Sequence, residues 1–530
     1  MLDELWKIKW DAVTSWYEFA AHCYDCLMEP IDYDDQTNFL SCYIFEGDNE
    51  QANNPNLRKL HHLSAQVFDL IENHGSIVAT VGEIHKLCNE LVLQPFYDPL
   101  YNSLTPLFFL IKASDEYYKK HNELLFDIPK INIQDKQVTT KSLENYVFKK
   151  QVDNIFFDNL SDRAAYQPLI KDNISGQFES LLFVDKKNLP NNCNINIANI
   201  MPDKRKRPNV WNDNENLRVG IIPYTKEHIT NFQQTNGATM RVIYHDQYDD
   251  VNTKRLISLL DLSIKEGCNI VVFPEYVVSP ELQKRIAHHL KKKYMENCGN
   301  ANNLMLVIAG TGWRDNNSNV SQLFDYKGEL LGEYYKFSPY FPASEPIRSI
   351  EGIQHRGEFC TLVDLPGIGR ILPSICRDAV NGEYSQKMVA LFRPFAMFIL
   401  AWSPSIMKGF KIPMKVLASQ YLVSSFLCNC CEALYFKETQ NMTKNNFESP
   451  AVSLSEISSQ NSHDRCGLAV FPALNQINHD IDADVRELLR EKENCSICMK
   501  TGCVYILSLS YSEKQIKDKE IMSLRKVYFT

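Results

Sequence analysis

The sequence predicts an α/β fold over residues 217–515, preceded by a mainly helical region over residues 1–185. Two patterns predict this: apolar residues repeat at helical spacing before residue 150, and from residue 217 onward short β-rich runs alternate with helical stripes. The chain of 530 residues is also longer than a domain with a single hydrophobic core usually is. Between the two regions, residues 186–216 are rich in Asn, Pro and charge, which predicts a linker. Residues 516–530 are predicted to be a C-terminal tail.

The composition is that of a folded globular protein, with 44% apolar and 23% charged residues. The net charge of −9 gives no global electrostatic reason to bind nucleic acid or an anionic membrane, and we expect neither partner. The basic run Lys204–Arg207 is interpreted as a solvated loop. No run approaches the ~20 apolar residues of a membrane span. With sixteen cysteines interpreted as reduced thiols, the sequence predicts a cytoplasmic protein.

Three apolar stripes at helical spacing lie in the first region. They comprise Trp6, Trp10, Val13 and Tyr17; Leu60, Leu63, Val67 and Leu70; and Ile84, Leu87 and Leu91. Residues three or four apart share one face of a helix, so each stripe predicts a helix with one buried face. The aromatic residues of the first stripe have a second interpretation, as an interface.

The second region contains apolar runs that are bounded by turn residues. They lie at 217–224, 266–275, 304–312, 321–337, 367–378, 395–405, 466–475 and 502–511. Runs of this length between turn signals are typical of buried strands. The run at 321–337 predicts a hairpin whose turn is Tyr326-Lys327-Gly328. An apolar helix is predicted from about Met414 to Phe426, with few charges on any face.

Three predicted strand ends carry groups that can react together. Glu275 follows Val-Val-Phe-Pro, Lys336 follows Gly-Glu-Tyr-Tyr, and Cys376 follows Leu-Pro-Ser-Ile. In open α/β sheets, side chains at strand ends face a crevice while the strand fixes their backbone. We therefore predict that a carboxylate, an ammonium and a thiol share one site.

These three groups suit acyl transfer through a cysteine nucleophile. Glu275 is the candidate general base that takes the thiol proton of Cys376. Lys336 and the backbone N–H of Arg377 are candidate donors to the negative charge of a tetrahedral intermediate. The ammonium is also expected to favour the thiolate form of the cysteine. Taken singly, each residue has an inert interpretation, as a small core residue, a helix cap and a solvated lysine, so the prediction depends on their combination.

Three ordered blocks of this region resemble the nitrilase superfamily of carbon-nitrogen hydrolases. They are the strand-Phe-Pro-Glu block at 270–275; the Ala-Gly-Thr-Gly block at 309–312 followed by Asn319, Asp325, Gly328 and Lys336; and Gly-Ile-Gly-Arg-Ile-Leu-Pro-Ser-Ile-Cys-Arg-Asp at 367–378. The resemblance covers about residues 217–511. It implies a four-layer αββα sandwich with Glu275, Lys336 and Cys376 as catalytic triad. It also implies hydrolysis of a non-peptide C–N bond, in an amide or a nitrile, and a homo-oligomer.

The resemblance implies a further acidic residue shortly after the lysine. Glu345 is the assigned match, and Glu351 and Glu358 are nearby alternatives. At the position after the cysteine this chain has Arg377, which is interpreted either as a binding site for an anionic substrate or as a salt-bridge partner of Asp378 or another acid. Asn429 is a candidate for the asparagine that follows the family's late helix.

Nothing in the resemblance explains residues 1–200. Nitrilase-like domains joined to unrelated N-terminal regions also occur in bacterial antiviral systems, which implies an alternative function. In that alternative the domain is a scaffold or effector module, and the N-terminal region binds a protein partner. Cys495, Cys498 and Cys503 have the spacing of a partial zinc site, but no second Cys-x-x-Cys follows, so we interpret them as free thiols and predict neither metal nor cofactor.

Overall fold

The structure is a computed structural model, and it describes part of the chain. The described residues are 15–28, 55–73, 77–93, 99–121, 145–149, 178, 181–185, 189–190, 193–200, 217–223, 230–235, 239–244, 249–296, 303–340, 350–365, 368–403, 406–421, 423–430, 468–471, 503–509 and 522–528. The chain divides into two compact units. The first comprises residues 1–152 and 160–189, and the second comprises residues 153–159 and 190–530.

The first unit contains amphipathic helices and a two-stranded antiparallel sheet. Its described elements are α1 (Trp16–Met28), α2 (Pro55–Asn73), α3 (Ile77–Glu90), α4 (Pro99–Lys120), β1 (Asn145–Lys149) and β2 (Leu181–Asp185). The predicted stripes on α2 and α3 are confirmed, because Leu60, Val67 and Ile84 are buried in one apolar core. Helix α2 starts at Pro55, whose fixed φ suits a first helical position. Trp6, Trp10 and Val13 lie outside the described residues.

The second unit contains the remaining described elements. They are β3 (Asn194–Asn199), β4 (Leu217–Ile221), β5 (Thr230–Thr235), β6 (Thr239–Tyr244), α5 (Asp249–Lys265), β7 (Ile270–Val272), α6 (Pro280–Glu296), β8 (Leu306–Arg314), β9 (Ser318–Asp325), β10 (Leu330–Tyr335), β11 (Ile350–Glu351), β12 (Phe359–Leu365), β13 (Gly369–Ile375), α7 (Arg377–Val380), α8 (Gly382–Phe392), β14 (Ala396–Ala401), α9 (Ile406–Tyr421), β15 (Ser424–Asn429), β16 (Leu468–Phe471), β17 (Cys503–Leu509) and β18 (Met522–Tyr528).

Thirteen of the described strands form one mixed sheet. Its order is β16-β15-β14-β13-β12-β10-β9-β8-β7-β4-β17-β18, and β3 also pairs with β12. Strands β13, β14 and β15 run parallel to one another, as do β4, β7 and β8, whereas β8, β9 and β10 are antiparallel. A smaller sheet has the order β11-β6-β5. The α/β class is therefore confirmed, and the four-layer arrangement stays a prediction.

Local sequence explains the elements that lead to the strand ends. Strands β7, β13, β14 and β15 are buried at every residue, as expected for parallel strands covered on both faces. Helix α6 begins after Ser279, whose Oγ accepts the Leu282 N–H at 3.2 Å as an N-cap. The predicted hairpin is confirmed: Gly328 has φ +76°, and a Cβ there would lie 2.2 Å from the Ala287 carbonyl oxygen.

Three sequence predictions are corrected by the strand assignments. Residues 194–199, inside the predicted linker, form β3, which pairs in parallel with β12. Residues 522–528, inside the predicted tail, form β18, which pairs with β17 along its whole length. The helix predicted for 414–426 ends at Tyr421, and residues 424–429 form β15. Ladder hydrogen bonds from neighbouring strands stabilise all three segments, and a local pattern cannot show such partners.

Helix α9 also bears on the predicted homo-oligomer. Its apolar residues Met414, Leu417 and Ala418 are buried within this chain, whereas Ile412 is exposed. Among residues 409–421, whose side chains the structure describes, the broad apolar surface that the sequence suggested is therefore not found, and self-association stays a prediction from the family resemblance alone. None of the helices in the described ranges is long and apolar enough to cross a membrane.

Candidate active site

Glu275 lies just beyond β7, on a turn that β8 holds in place. The Thr311 N–H donates to the Pro274 carbonyl at 3.2 Å, and Thr311 Oγ1 accepts the Tyr276 N–H at 3.0 Å. Gly310 permits this close approach, since it has φ +62° and a Cβ there would lie 2.6 Å from the Pro274 oxygen. The Ala-Gly-Thr-Gly block thus fixes the backbone on both sides of the carboxylate.

Lys336 directly follows β10 and is buried between two carboxylates. Its backbone N–H donates to the Asn319 carbonyl at 2.9 Å, which continues the pairing with β9. Its Nζ donates to Glu275 Oε1 and to Glu351 Oε2, each at 2.7 Å. All three charged side chains are 1% exposed. A buried ammonium requires such partners, because the cost of removing it from water is otherwise several kcal/mol.

Cys376 occupies the turn between β13 and α7. It has φ 45° and ψ −101°, a conformation that few residues other than glycine adopt. Its N–H donates to the Leu400 carbonyl at 2.8 Å, which ties the turn to β14, and its thiol lies close enough to the Glu275 carboxylate and the Lys336 ammonium for both to influence its pKa. The structure therefore brings Glu275, Lys336 and Cys376 into one buried cluster.

Glu351 is the second carboxylate of this cluster. It lies on β11 and is 1% exposed, in contact with Lys336. The assigned match, Glu345, lies outside the described residues. The other alternative, Glu358, contacts the ring of His355 instead and is not part of the cluster. Of the two described alternatives, the structure thus places Glu351 at the site.

Two further donors, one a side-chain amide and one a backbone N–H, hold the Glu275 carboxylate. Asn319 Nδ2 donates to its Oε1 at 3.0 Å, and the Trp402 N–H donates to its Oε2 at 3.1 Å. Trp402 follows β14, and the next residue is tied to β15. Ser403 N–H donates to Asn429 Oδ1, and Asn429 Nδ2 donates to the Ser403 carbonyl, both at 2.9 Å. Asn429, which the sequence singled out, therefore fixes the loop that supports Glu275.

Burial dominates the electrostatics of the cluster. It raises the pKa of the Cys376 thiol, Glu275 and Glu351 raise it further, and Lys336 only partly opposes them. Burial also raises the pKa of Glu275, while Lys336 lowers it and Glu351 raises it. For Lys336, burial lowers the pKa, but the two carboxylates outweigh burial and raise it. The ammonium does favour the thiolate, as expected, but burial and the two carboxylates outweigh it, so the pKa of the thiol is raised and its proton lies next to a carboxylate that can accept it.

Asp378 lies two residues after the cysteine and reaches the segment that follows the lysine. Its carboxylate accepts the Phe337 N–H at 3.1 Å, the Tyr334 hydroxyl at 3.2 Å and the Ser338 N–H. Burial raises its pKa to about 7, although the Phe337 and Ser338 N–H groups lower it. Asp378 thereby links the turn that contains Cys376 to the segment that follows Lys336 at the end of β10.

Arg377 is the first residue of α7, and its side chain is exposed. The predicted salt bridge to Asp378 is not formed, because that carboxylate accepts backbone N–H groups and a tyrosine hydroxyl instead. The first N–H groups of a helix have no partner within the helix, so the Arg377 N–H is suited to the predicted oxyanion contact. Its substrate-binding role stays a prediction.

Sequence reasoning missed Tyr276 and Trp402, which also contact the cluster. Trp402 directly follows a buried strand, so the rule that selected the triad could have found it. Tyr276 gives no local signal, because nothing in the sequence shows its left-handed backbone, with φ 65°. No group of three His, Cys, Asp or Glu residues within the described ranges could hold a metal ion, and Cys495 and Cys498 lie outside those ranges.

Comparison with known proteins gives only distant similarities. No family model and no curated protein match the chain. Among solved structures, an amidase from Nesterenkonia sp. is 14% identical, with 40% of this chain and 75% of that chain covered and a TM-score of 0.29. An amidase of the nitrilase superfamily from Nesterenkonia AN1 is 13% identical, with 40% and 76% covered and a TM-score of 0.28.

A glutamine-dependent NAD+ synthetase from Acinetobacter baumannii is 15% identical, with a TM-score of 0.28. The match covers 41% of this chain and 38% of that one, so this chain spans well under half of the synthetase. TM-scores of this size do not assign the chain to a family. The functional conclusion therefore depends on the geometry of the cluster.

Proposed function

We propose that the protein is a hydrolase of non-peptide C–N bonds, in amides or nitriles, that works through a cysteine thioester. One observation carries the proposal: Glu275, Lys336 and Cys376, each at or just beyond the end of a different strand, lie in one buried cluster, in which Lys336 donates to Glu275 and both charged groups act on the thiol. A thiol, a base and a fixed cation are the groups that nucleophilic acyl transfer requires. The four-layer αββα sandwich belongs to the same proposal.

With an amide, the first half-reaction forms the thioester. The Cys376 sulfur attacks the carbonyl carbon while Glu275 takes the thiol proton, which suits a thiol whose pKa burial has raised. The oxygen becomes an anion, stabilised by the Lys336 ammonium and the Arg377 N–H. When the C–N bond breaks, the protonated Glu275 gives its proton to the departing amine. A carboxyl group with a raised pKa suits both proton transfers.

The second half-reaction regenerates the thiol. Glu275 takes a proton from water as the water oxygen attacks the thioester carbon, and the proton then passes to the departing sulfur. The products are a carboxylic acid and free Cys376. The cluster holds two carboxylates and one ammonium, so an uncharged amide or nitrile enters it at a lower electrostatic cost than an anion.

The test combines turnover with trapping of the intermediate. The full chain is incubated with a panel of aliphatic and aromatic amides and nitriles, ammonia release is measured, and intact mass with peptide mapping locates any acyl adduct. We expect turnover and an adduct on Cys376. Cys376→Ala should abolish both. Cys268→Ala, which removes a buried thiol outside the cluster, should change neither.

Glu275→Gln and Lys336→Ala test the two other roles. The glutamine amide cannot accept the thiol proton, and loss of the cation should lower kcat on the scale of roughly 10²–10³ for an oxyanion donor. Turnover that survives Cys376→Ala would disprove the thioester mechanism. If wild-type protein neither turns over nor is acylated by any compound, the scaffold or effector alternative takes precedence.

A further inference from the structure

Tyr276 holds an unusual position beside the cluster. It directly follows Glu275, is buried, and has φ 65°. Left-handed backbone in a bulky residue costs roughly 1–3 kcal/mol and persists where the surroundings fix it. Here the Tyr276 N–H is held by Thr311 Oγ1 at 3.0 Å. The backbone conformation is thus fixed by the same block that holds the catalytic carboxylate.

The tyrosine side chain contacts the cluster in three ways. Its hydroxyl donates to Glu351 Oε1, and the same oxygen of the hydroxyl accepts from Lys336 Nζ at 3.4 Å. The ring centroid lies 5.4 Å from Lys336 Nζ, within the range of a cation–π contact. The ammonium therefore has short contacts with Glu275 and Glu351 and a longer one with the tyrosine hydroxyl.

Glu351 depends on this hydroxyl for part of its position. Its Oε2 accepts from Lys336 and from the Tyr340 N–H at 2.8 Å. Its Oε1 accepts from the Tyr276 hydroxyl and, over a longer 3.3 Å, from Asn319 Nδ2. A buried carboxylate that loses a donor moves toward the donors that remain. The ammonium between the two carboxylates would move with it.

We propose that Tyr276 is a positioning residue of the active site: its hydroxyl fixes Glu351 and its ring covers the Lys336 ammonium, so that the cation stays aimed at the developing oxyanion. The proposal deepens the hydrolase proposal and rests on it. The tyrosine is not itself an acid or a nucleophile in the reaction. Burial raises its pKa well above the usual range, Glu351 and Glu275 raise it further, and its proton is engaged by Glu351.

Two substitutions separate the two contacts. Tyr276→Phe removes the hydroxyl and keeps the ring over the ammonium, whereas Tyr276→Leu removes both. Tyr326→Phe is the matched control, because it removes a hydroxyl that is buried in the turn after β9 and has no hydrogen-bond partner among the described residues. Thermal melting of all three variants checks that the fold is intact.

With an amide that the wild-type protein hydrolyses, we expect Tyr276→Phe to lower kcat about 10- to 100-fold. This is the scale expected for the loss of a hydrogen bond to a charged group. KM should change less than about 3-fold, because the ammonium acts on the transition state more than on the bound amide. Tyr276→Leu should lower kcat roughly 2- to 5-fold further through the lost cation–π contact. A Tyr276→Phe kcat equal to that of Tyr326→Phe, or a change confined to KM, would overturn the proposal.

A second measurement requires no substrate. Iodoacetamide alkylation of Cys376 is followed across pH, and peptide mapping assigns the rate to that thiol. Among Glu275, Glu351 and Lys336, only the ammonium lowers the pKa of the thiol. The alkylation midpoint is the pH at which the rate of Cys376 alkylation is half its maximum. A displaced ammonium should therefore move this midpoint to higher pH in Tyr276→Phe, with no change in Tyr326→Phe. If no amide or nitrile is turned over, the hydrolase proposal fails, and this midpoint alone decides the positioning proposal: an unchanged midpoint refutes it.

Discussion

Replacing Asp378 by asparagine should make the protein more stable at alkaline pH and change its stability little at acidic pH. The buried carboxylate has a pKa of about 7, against an ordinary value of 3.8. Between these values the folded protein holds a proton that the unfolded chain has released. The stabilising contribution is thus fully present below pH 3.8 and is lost as pH rises through about 7. Asparagine mimics the protonated form and does not titrate.

The size of the effect follows from the two pKa values. At about 1.4 kcal/mol per pKa unit, the rise from 3.8 to about 7 corresponds to about 4 kcal/mol. About 3 kcal/mol of this falls between pH 5 and pH 8 by the same linkage relation. The asparagine oxygen can still accept the Phe337 and Ser338 N–H groups, and its amide group can donate to the Tyr334 oxygen. The substitution therefore removes the charge and retains these contacts.

Chemical denaturation of both proteins at pH 5 and at pH 8 measures this prediction. We expect the free energy of unfolding of Asp378→Asn, relative to that of wild type, to be about 3 kcal/mol larger at pH 8 than at pH 5, so that the variant gains stability at the higher pH. Asp315→Asn, at an exposed aspartate, should show no such difference between the two pH values. If Asp378→Asn is equally destabilised at both, the hydrogen bonds to the carboxylate outweigh its burial and the reasoning is refuted.

Two further substitutions test the supports of the site. Gly310→Ala should lower the free energy of unfolding by about 1–3 kcal/mol, because the backbone has a positive φ there and the new Cβ would clash with the Pro274 oxygen. Gly82→Ala, in the open on helix α3, should instead raise it by about 0.5–1 kcal/mol, and equal effects in both would contradict the packing explanation. Glu351→Gln should lower kcat by roughly 10²-fold, since Lys336 loses one of its two anionic partners. Glu358→Gln is the control, and an equal loss in both variants would remove Glu351 from the site.

Glu275, Lys336 and Cys376 could be predicted to share one site because each lies at or just beyond the end of a strand whose pattern is local. Glu351 could not be assigned in the same way. Three glutamates lie within a short stretch after Lys336, and their distances from the ammonium depend on the path of the chain rather than on spacing. The direction of the thiol pKa was also beyond the sequence, because it depends on the sum of burial, two carboxylates and one ammonium.

The missed strands have a related cause. Asn-Ile-Asn-Ile-Ala-Asn in β3 alternates apolar residues with asparagine, a residue type that is depleted in strands and common in loops. Hydrogen bonds to neighbouring segments stabilise the strand in spite of this composition: Asn196 Nδ2 donates to the Leu331 carbonyl at 3.3 Å and to Thr361 Oγ1 at 3.4 Å. Contacts between residues more than a hundred positions apart are not visible in a local pattern.

The strand order has a consequence for when the site can form during synthesis. Strand β4 lies between β7, which leads to Glu275, and β17, which comes from residues 503–509. On the ribosome, the chain must therefore extend past residue 509 before β4 has both neighbours. Until then β4 is an open sheet edge beside β7, accessible to water and to other nascent chains. The strand that leads to Glu275 therefore gains its complete sheet neighbourhood only after the C-terminal strand β17 has been synthesised.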